Sequence, residues 1–435
     1  MKRLIITSVT RDWPFVILFF IGILLILLLA TKPVIADTLT EEPGPVDPEL
    51  QRERGAYLAR AGNCMGCHTA KGSPPFAGGR RLSTSFGIFV TPNITPDKRT
   101  GIGDWDEDDF WQALHEGKSR DGRLLYPAFP YTEYTKVTRQ DADAIFAYLR
   151  SLQPISQLNP PSDIHFPYDF RPLLYIWRAL YFKEGVYEPD RSKDEEWNRG
   201  AYLVQGLGHC NACHTSRNLL GASRDETLTG GQIMGANWYA PSLTSRLEAG
   251  SHDWSIEEIA ELLATGISKS AVLSGPMGTV TRQSLQYLSQ QDIRAMAVYL
   301  KSLAKNETSG MSTINTQIAP EDLRMYLQKG GKLYERHCQD CHGASGEGVA
   351  NIYPALAGNR NVTMSSPLNT IRIVLNGGYP PATTGNPRPY GMPPFQQIFR
   401  DGEIAQIVSY IRNAWGNRGS LVTPIDVDRS KGDSH

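Results

Sequence analysis

The sequence predicts a mainly α-helical, loop-rich chain of three small domains in tandem, preceded by an N-terminal hydrophobic helix. Three observations predict it. The motif Cys-x-x-Cys-His occurs three times, and each copy follows a similar stretch: Arg54-Gly55-Ala56-Tyr57-Leu58, Arg199-Gly200-Ala201-Tyr202-Leu203 and, more loosely, Gly331-Lys332-Leu333-Tyr334. Each copy closes on a segment with apolar residues at helical spacing, Asp141 to Leu152, Gln291 to Leu303 and Gly402 to Trp415, whose centres read Tyr148-Leu149-Arg150, Tyr299-Leu300-Lys301 and Tyr410-Ile411-Arg412. Between those ends, a chain with 40 Gly and 29 Pro in 435 residues reads as turns and long loops with little strand alternation.

From the N-terminus, Lys2, Arg3 and Arg11 precede an unbroken apolar run, Phe15 to Ala30, and small residues follow around Val34-Ile35-Ala36. Residues 1–36 therefore read as an export signal or membrane anchor, with the positive end on the cytoplasmic side. The run is long for a signal core and a little short of the about 20 residues of a span; a retained anchor is the preferred expectation. A Pro- and Glu-rich spacer covers 37–50, and the first domain extends over 37–152 with a short helix at Trp105 to Glu116. Residues 153–196 form a linker with an aromatic helix between Phe166 and Phe182, including Tyr175, Trp177 and Tyr181. Such a stretch suits a membrane or a partner subunit, but apolar stripes more commonly mark a face packed on its own protein, and that packing is the expectation. The second domain covers 197–304, with a helix over Ser255 to Thr265. A Ser-, Thr- and Asn-rich linker at 305–320, a third domain at 321–418 and a polar tail at 419–435 complete the chain.

All six cysteines, Cys64, Cys67, Cys210, Cys213, Cys338 and Cys341, lie in the three motifs, which leaves none for a disulfide framework. In Cys-x-x-Cys-His the two thiols add across the vinyl groups of a haem, and the adjacent His presents its imidazole to the iron from the same helical turn. Zinc wants two pairs close enough to share one metal, and a thioredoxin-like pair leaves the His unexplained. The motifs therefore predict three covalent haem c groups with His68, His214 and His342 as proximal ligands.

The sixth ligand belongs later in each repeat, where a thioether favours reduced iron. Gly275-Pro276-Met277 supplies Met277, and Gly391-Met392-Pro393-Pro394 supplies Met392, both ahead of the closing helix. A single Met more often fills a core gap, but the matched positions and Pro-Gly surroundings point to ligands. The first repeat breaks the pattern. Its segment reads Leu125-Tyr126-Pro127-Ala128-Phe129-Pro130, with Phe129 where a Met is expected, and Met65 inside the attachment motif is badly placed to reach the other face of the haem. The first haem is expected to be five-coordinate or to borrow a ligand such as His115, with His165 a weaker candidate. His209, His252, His337 and His435 read as packing or surface residues.

A formal net charge of −1 offers no polybasic surface, so no nucleic acid is expected as a partner. Arg80-Arg81 more plausibly meets haem propionates or solvent. There is neither a Gly-rich dinucleotide turn nor a nucleophile elbow.

With Thr91-Pro92-Asn93-Ile94-Thr95-Pro96-Asp97, Glu196-Trp197-Asn198, Trp238-Tyr239-Ala240-Pro241-Ser242-Leu243 and Met392-Pro393-Pro394-Phe395 added, the chain after residue 50 resembles the triple-haem cytochrome c subunits of membrane-bound bacterial dehydrogenases that oxidise alcohols, aldehydes, gluconate or sorbitol. The resemblance implies class I-type cytochrome c domains on the periplasmic side of the inner membrane, held by the N-terminal anchor or through the complex. It implies electron transfer from a separate catalytic dehydrogenase subunit to ubiquinone or a terminal oxidase. That subunit would carry a molybdenum cofactor, pyrroloquinoline quinone or flavin. Alcohol and gluconate members usually keep a Met where Phe129 stands, and the Phe looks more like the cytochromes that accompany molybdenum-containing aldehyde or heteroaromatic dehydrogenases. Two other function classes stay open: a peroxidase-type haem enzyme acting at the first haem, and a free multihaem electron shuttle.

Overall fold

The computed structural model describes residues 47–224, 227–249, 253–304 and 320–432. The apolar run Phe15 to Ala30, and with it the expected N-terminal hydrophobic helix, lies outside the described residues, as do residues 305–319 of the second linker. Among the described residues no helix is long and apolar enough to cross a membrane.

The first repeat opens on α1 (Pro48–Ala61), which turns Gly55, Leu58, Ala59 and Ala61 inward. After the attachment turn Cys64–Cys67 comes an antiparallel hairpin, β1 (Arg81–Thr84) and β2 (Gly87–Val90), with Arg81 opposite Val90. Helix α2 (Glu107–His115) starts where Asp106 and Asp109 cap each other's backbone N–H. Helix α3 (Arg139–Ser151) closes the repeat, its first turn held by the Thr138 hydroxyl accepting from Asp141 N–H. A two-residue strand β3 (Asp163–Ile164) then pairs with β2, and α4 (Leu173–Tyr181) follows. The second repeat runs through α5 (Glu195–Tyr202), the turn Asn211–His214, a hairpin of β4 (Gly231–Ile233) and β5 (Trp238–Ala240), α6 (Ile256–Thr265), α7 (Gly275–Gln283) and α8 (Gln290–Ser302). The third comprises α9 (Pro320–His337), the turn Gln339–His342, α10 (Leu368–Asn376) and α11 (Asp401–Asn413), with α12 (Pro424–Ser430) behind it.

One crossing is repeated three times. The opening and closing helices of each repeat pack so closely that a methyl group on Gly55, Gly200 or Gly330 would overlap the carbonyl oxygen of Ala144, Ala295 or Gln406. Only glycine permits that approach. The Cβ of Tyr148, Tyr299 or Tyr410 sits beside the same glycine, which explains why a Tyr recurs in each closing helix. The third repeat uses Gly330 here, so its opening stretch sits one residue earlier than the loose sequence match from Gly331 implied. The cation at the end of each closing segment also has one job in all three repeats. Arg150 donates to the carbonyl of Gly103, Lys301 to that of Trp254, and Arg412 to those of Val362 and Met364.

The first two repeats share one apolar core, in which Leu58, Phe146 and Leu149 join Leu203, Leu207 and Met296. The third builds its own around Tyr334, Ile371, Leu375, Ile404 and Val408. A reciprocal exchange locks the first pair. Tyr57 of the first repeat donates to Asp292 Oδ2 of the second at 2.6 Å, and Tyr202 of the second donates to Asp141 Oδ2 of the first at 2.6 Å. Each carboxylate also binds an Arg of its own repeat, Arg199 to Asp292 at 2.8 and 2.7 Å and Arg54 to Asp141 at 3.0 Å. The third repeat docks on the second through polar contacts: the Asn369 amide brackets the backbone of Tyr239 at 3.0 and 2.7 Å, and Arg372 lies over the Trp238 ring.

Three local expectations are modified. The loops hold two small sheets, because the residues after each of the first two attachment turns fold back as hairpins. The residues expected as a tail from 419 carry α12, with Val427 fully buried and a Thr423–Asp426 capping box starting the helix. In the linker, the Ile155 carbonyl accepts from Asn93, so its first part lies against the first repeat. The aromatic stretch forms a helix that packs on its own protein only in part. Only Leu174 is buried in α4, while Phe166 is 85% and Tyr175 66% exposed. Arg178 donates to the Glu116 carbonyl and lies over Phe182, while Leu173, Ile176, Trp177 and Leu180 line the cavity of the first repeat.

Candidate functional site

The local sequence folds each Cys-x-x-Cys-His into one helical turn. The N–H of His68, His214 and His342 reaches the carbonyl of Cys64, Cys210 and Cys338 at 2.9, 2.8 and 2.9 Å, so both sulfurs and the imidazole of a motif belong to one turn. The carbonyl of each His then accepts from a glycine, Gly78, Gly230 or Gly348, at 2.8 Å in every case. These contacts tie the turn to the returning chain.

The rings are aimed in the same way. Nδ1 of His68 faces Pro92 O at 2.8 Å, Nδ1 of His214 faces Pro241 O at 2.7 Å, and Nδ1 of His342 faces Pro354 O at 3.0 Å. A carbonyl can only accept, so Nδ1 carries the proton and Nε2 keeps its lone pair for a metal. Burial pushes all three imidazoles below their ordinary pKa, with the Pro carbonyl partly opposing the shift. They are therefore neutral, as an iron ligand must be. The three prolines were not identified as functional from sequence. A Pro follows every motif, but 24, 27 and 12 residues later, and that irregular spacing hides it.

The thiols are set for thioether chemistry rather than thiolate ligation. Burial, reinforced by the second thiol of each pair, pushes Cys64 and Cys210 up to about 12 and Cys338 up to about 11. A buried thioether carries no charge to desolvate, whereas a thiolate does. The first two attachment turns also face each other. Burial raises the Cys213 thiol, and Cys67 from the other repeat adds to that rise.

At the first site the residues fit a haem. A cavity of about 2210 Å³ opens on Cys64, Cys67 and His68, with apolar walls that include Ile94, Ile102, Phe110, Leu114 and Leu149. Arg80 and Arg81 line it, and Arg80 also donates to the Gly66 carbonyl inside the attachment turn. That placement suits the expected meeting with propionates. At the other two sites the donor set alone makes the case: a neutral His with a free Nε2 and two buried thiols on one turn.

The distal candidates occupy matching places. In each repeat the second helix, α2, α6 or α10, leads into a short antiparallel bridge, Lys118 with Leu124, Ile267 with Val272, Gly378 with Met392. Met277 lies in the first turn of α7 and packs on the shared core, and Met392 packs on the third core. Phe129 stands at the corresponding bend of the first repeat and lines the cavity that holds His68. His115 does not rescue the site. Its Nδ1 faces Thr135 O at 2.8 Å and its Nε2 faces Glu184 at 3.3 Å, so both ring nitrogens are engaged elsewhere. His165 is exposed on the surface, and His337 packs edge-on against Phe399. His252 and His435 lie outside the described residues. His209, expected as packing, stands edge-on to Tyr134 and lines the first cavity.

Comparison with known proteins gives the chain its family. The family profile described as "Cytochrome c" matches residues 52–153 and 327–415, which hold the first and third repeats. The chain is 38% identical to the gluconate 2-dehydrogenase cytochrome c subunit of Pantoea cypripedii over 86% of its own length and 88% of the relative's. It is 36% identical to the cytochrome c subunit of the quinone-dependent alcohol dehydrogenase of Gluconacetobacter polyoxogenes, over 92% of this chain and 88% of that one. It is also 41% identical to one subunit of the nicotinate dehydrogenase of Pseudomonas putida over 83% of its length, but spans only 30% of that longer protein. By these likenesses the chain belongs to the family of cytochrome c subunits found in alcohol, gluconate and fructose dehydrogenase complexes.

Proposed function

We propose that this chain carries three covalent haems c and passes electrons from a separate catalytic dehydrogenase subunit to ubiquinone or another respiratory acceptor, on the periplasmic side of the inner membrane. The observation that carries the reading is the threefold recurrence of one site: a neutral His on an attachment turn, its Nδ1 held by a Pro carbonyl. When bound, each haem supplies an iron that takes up and gives back one electron. The chain's own residues do the positioning. His68, His214 and His342 present Nε2 as proximal ligands, and Met277 and Met392 supply thioethers that favour the reduced state. The shared core and the exchange of Tyr57 and Tyr202 fix the first two sites relative to each other.

The partner is an aldehyde or alcohol dehydrogenase subunit with a molybdenum cofactor, pyrroloquinoline quinone or flavin. Phe129 and the likeness to a subunit of a nicotinate dehydrogenase, nicotinate being heteroaromatic, support the molybdenum type. The export sequence at 1–36 and the relatives' membership of dehydrogenase complexes support the location. The test is purification from membranes in mild detergent, with the companion subunits identified by mass spectrometry and haem counted by the pyridine haemochrome. Three haems per chain and a co-purifying dehydrogenase are expected. A chain that washes off alone in salt, or one with fewer haems, overturns the reading.

A further inference from the structure

The first site lacks the Met that the other two offer, and the surroundings of Phe129 do not supply another thioether. Phe129 is fixed where a thioether is expected. Its N–H reaches Tyr126 O at 3.0 Å, the next turn begins at the fully buried Tyr131, and its ring lies 5.4 Å from that of Tyr134. A phenyl ring has no lone pair to give a metal.

Other donors near the cavity are held by contacts of their own, His209 through one ring nitrogen. His115 has both ring nitrogens engaged. His209 hydrogen-bonds to the backbone of Gly62, which closely precedes the attachment turn, and stands against Tyr134. Met234 lines the cavity from the tip of the second hairpin, but its methyl group lies beside Gly221, next to Phe86 on the first hairpin's turn. The cavity runs on into the second repeat, where Cys213, Trp238 and Pro276 line it, so its volume is shared between two attachment sites. On the first repeat's side, Phe89, Ile176 and Leu180 add to its apolar wall.

We propose, resting on the reading of three covalent haems, that the haem on Cys64 and Cys67 keeps an exchangeable sixth position beneath Phe129. It binds a small neutral ligand of the carbon monoxide, nitric oxide or dioxygen class. Reduced haem iron with an open position takes diatomic ligands of this kind without a charged partner, and the wall, which carries Arg80, Arg81 and Arg171 beside its apolar residues, is not what selects them. The other two irons, closed by Met277 and Met392, take up none.

The test uses full-length holoprotein in detergent, reduced and titrated with carbon monoxide. One of the three haems should be high-spin and take up one equivalent. Phe129→Met should abolish uptake and convert that haem to low-spin, with the unchanged bands of the other two reporting that the variant is folded. Phe129→Leu should keep the uptake, and Met234→Ala should leave the spectrum as it was. Three low-spin irons with no carbon monoxide bound would overturn the proposal, as would unchanged uptake in Phe129→Met or a new high-spin signal in Met234→Ala. A haemochrome count of three in the same sample keeps that failure separate from failure of the three-haem reading.

Discussion

At the scale of single residues, the chemistry rests on what lies behind each ligand. His214 without the Pro241 carbonyl would be free to rotate and to exchange tautomers, and the same holds at His68 and His342. The distal positions give a direct prediction. Met277→Ala or Met392→Ala should each convert one haem to high-spin and lower its midpoint potential, read by redox titration followed optically. The buried carboxylates give another. Burial alone would raise Asp292, but the Arg199 guanidinium and the Tyr57 hydroxyl outweigh it and hold the carboxyl below its ordinary pKa. A carboxylate lowered on folding stabilises the native state fully above its unfolded value of about 4, and that contribution disappears as pH falls through the lower folded value. Acid unfolding curves of Asp292→Asn should therefore show less loss of stability below about pH 4 than wild type. The Cys and His residues were legible because the motif is contiguous. The Pro carbonyls were not, because backbone acceptors at unequal distances leave no fixed pattern.

At the scale of elements, the helix crossings dominate. Gly200→Ala places a methyl group on the Ala295 carbonyl and should cost about 1–3 kcal/mol, measured by chemical denaturation. Gly402→Ala is the control: a Cβ there meets nothing, so its effect should be neutral or slightly stabilising. The buried Arg412 is a second pressure point. Burial lowers its guanidinium to about 10, and it is held by the carbonyls of Val362, Met364 and Ser420. Closing helices were placed from periodicity to within two residues, because a half-buried helix writes its interior face into the sequence. The environment of α4 was not legible in the same way. Periodicity shows that a face is apolar but not what covers it, and here Ile176 and Leu180 line the first cavity while Tyr175 stays outside. The hairpins were missed because strands of three or four residues are too short to display alternation.

At the scale of the whole molecule, three repeats in sequence become two cores in space. Calorimetry of the holoprotein should resolve two transitions, one for the first and second repeats together and one for the third. Tyr57→Phe removes a hydrogen bond to a charged group, worth about 1.5–3 kcal/mol. It should lower the first transition by several degrees and leave the second in place. The threefold repeat was legible from the sequence. The pairing was not, because Tyr57 and Tyr202 look like ordinary amphipathic helix residues until Asp292 and Asp141 are seen across from them. The third repeat carries Lys332 two positions after Gly330, where the others carry those tyrosines, and so makes no such exchange.

That reciprocal exchange has the form of a twofold dimer contact written into one polypeptide. Two identical protomers must carry identical centres, so a change that opens one opens both. Duplication within a single chain removes the constraint. The Tyr–Asp handshake holds the halves in register while each half is free to vary at its candidate distal position, Phe129 on one side and Met277 on the other. Division of labour between paralogous halves thus needs no loss of structural symmetry.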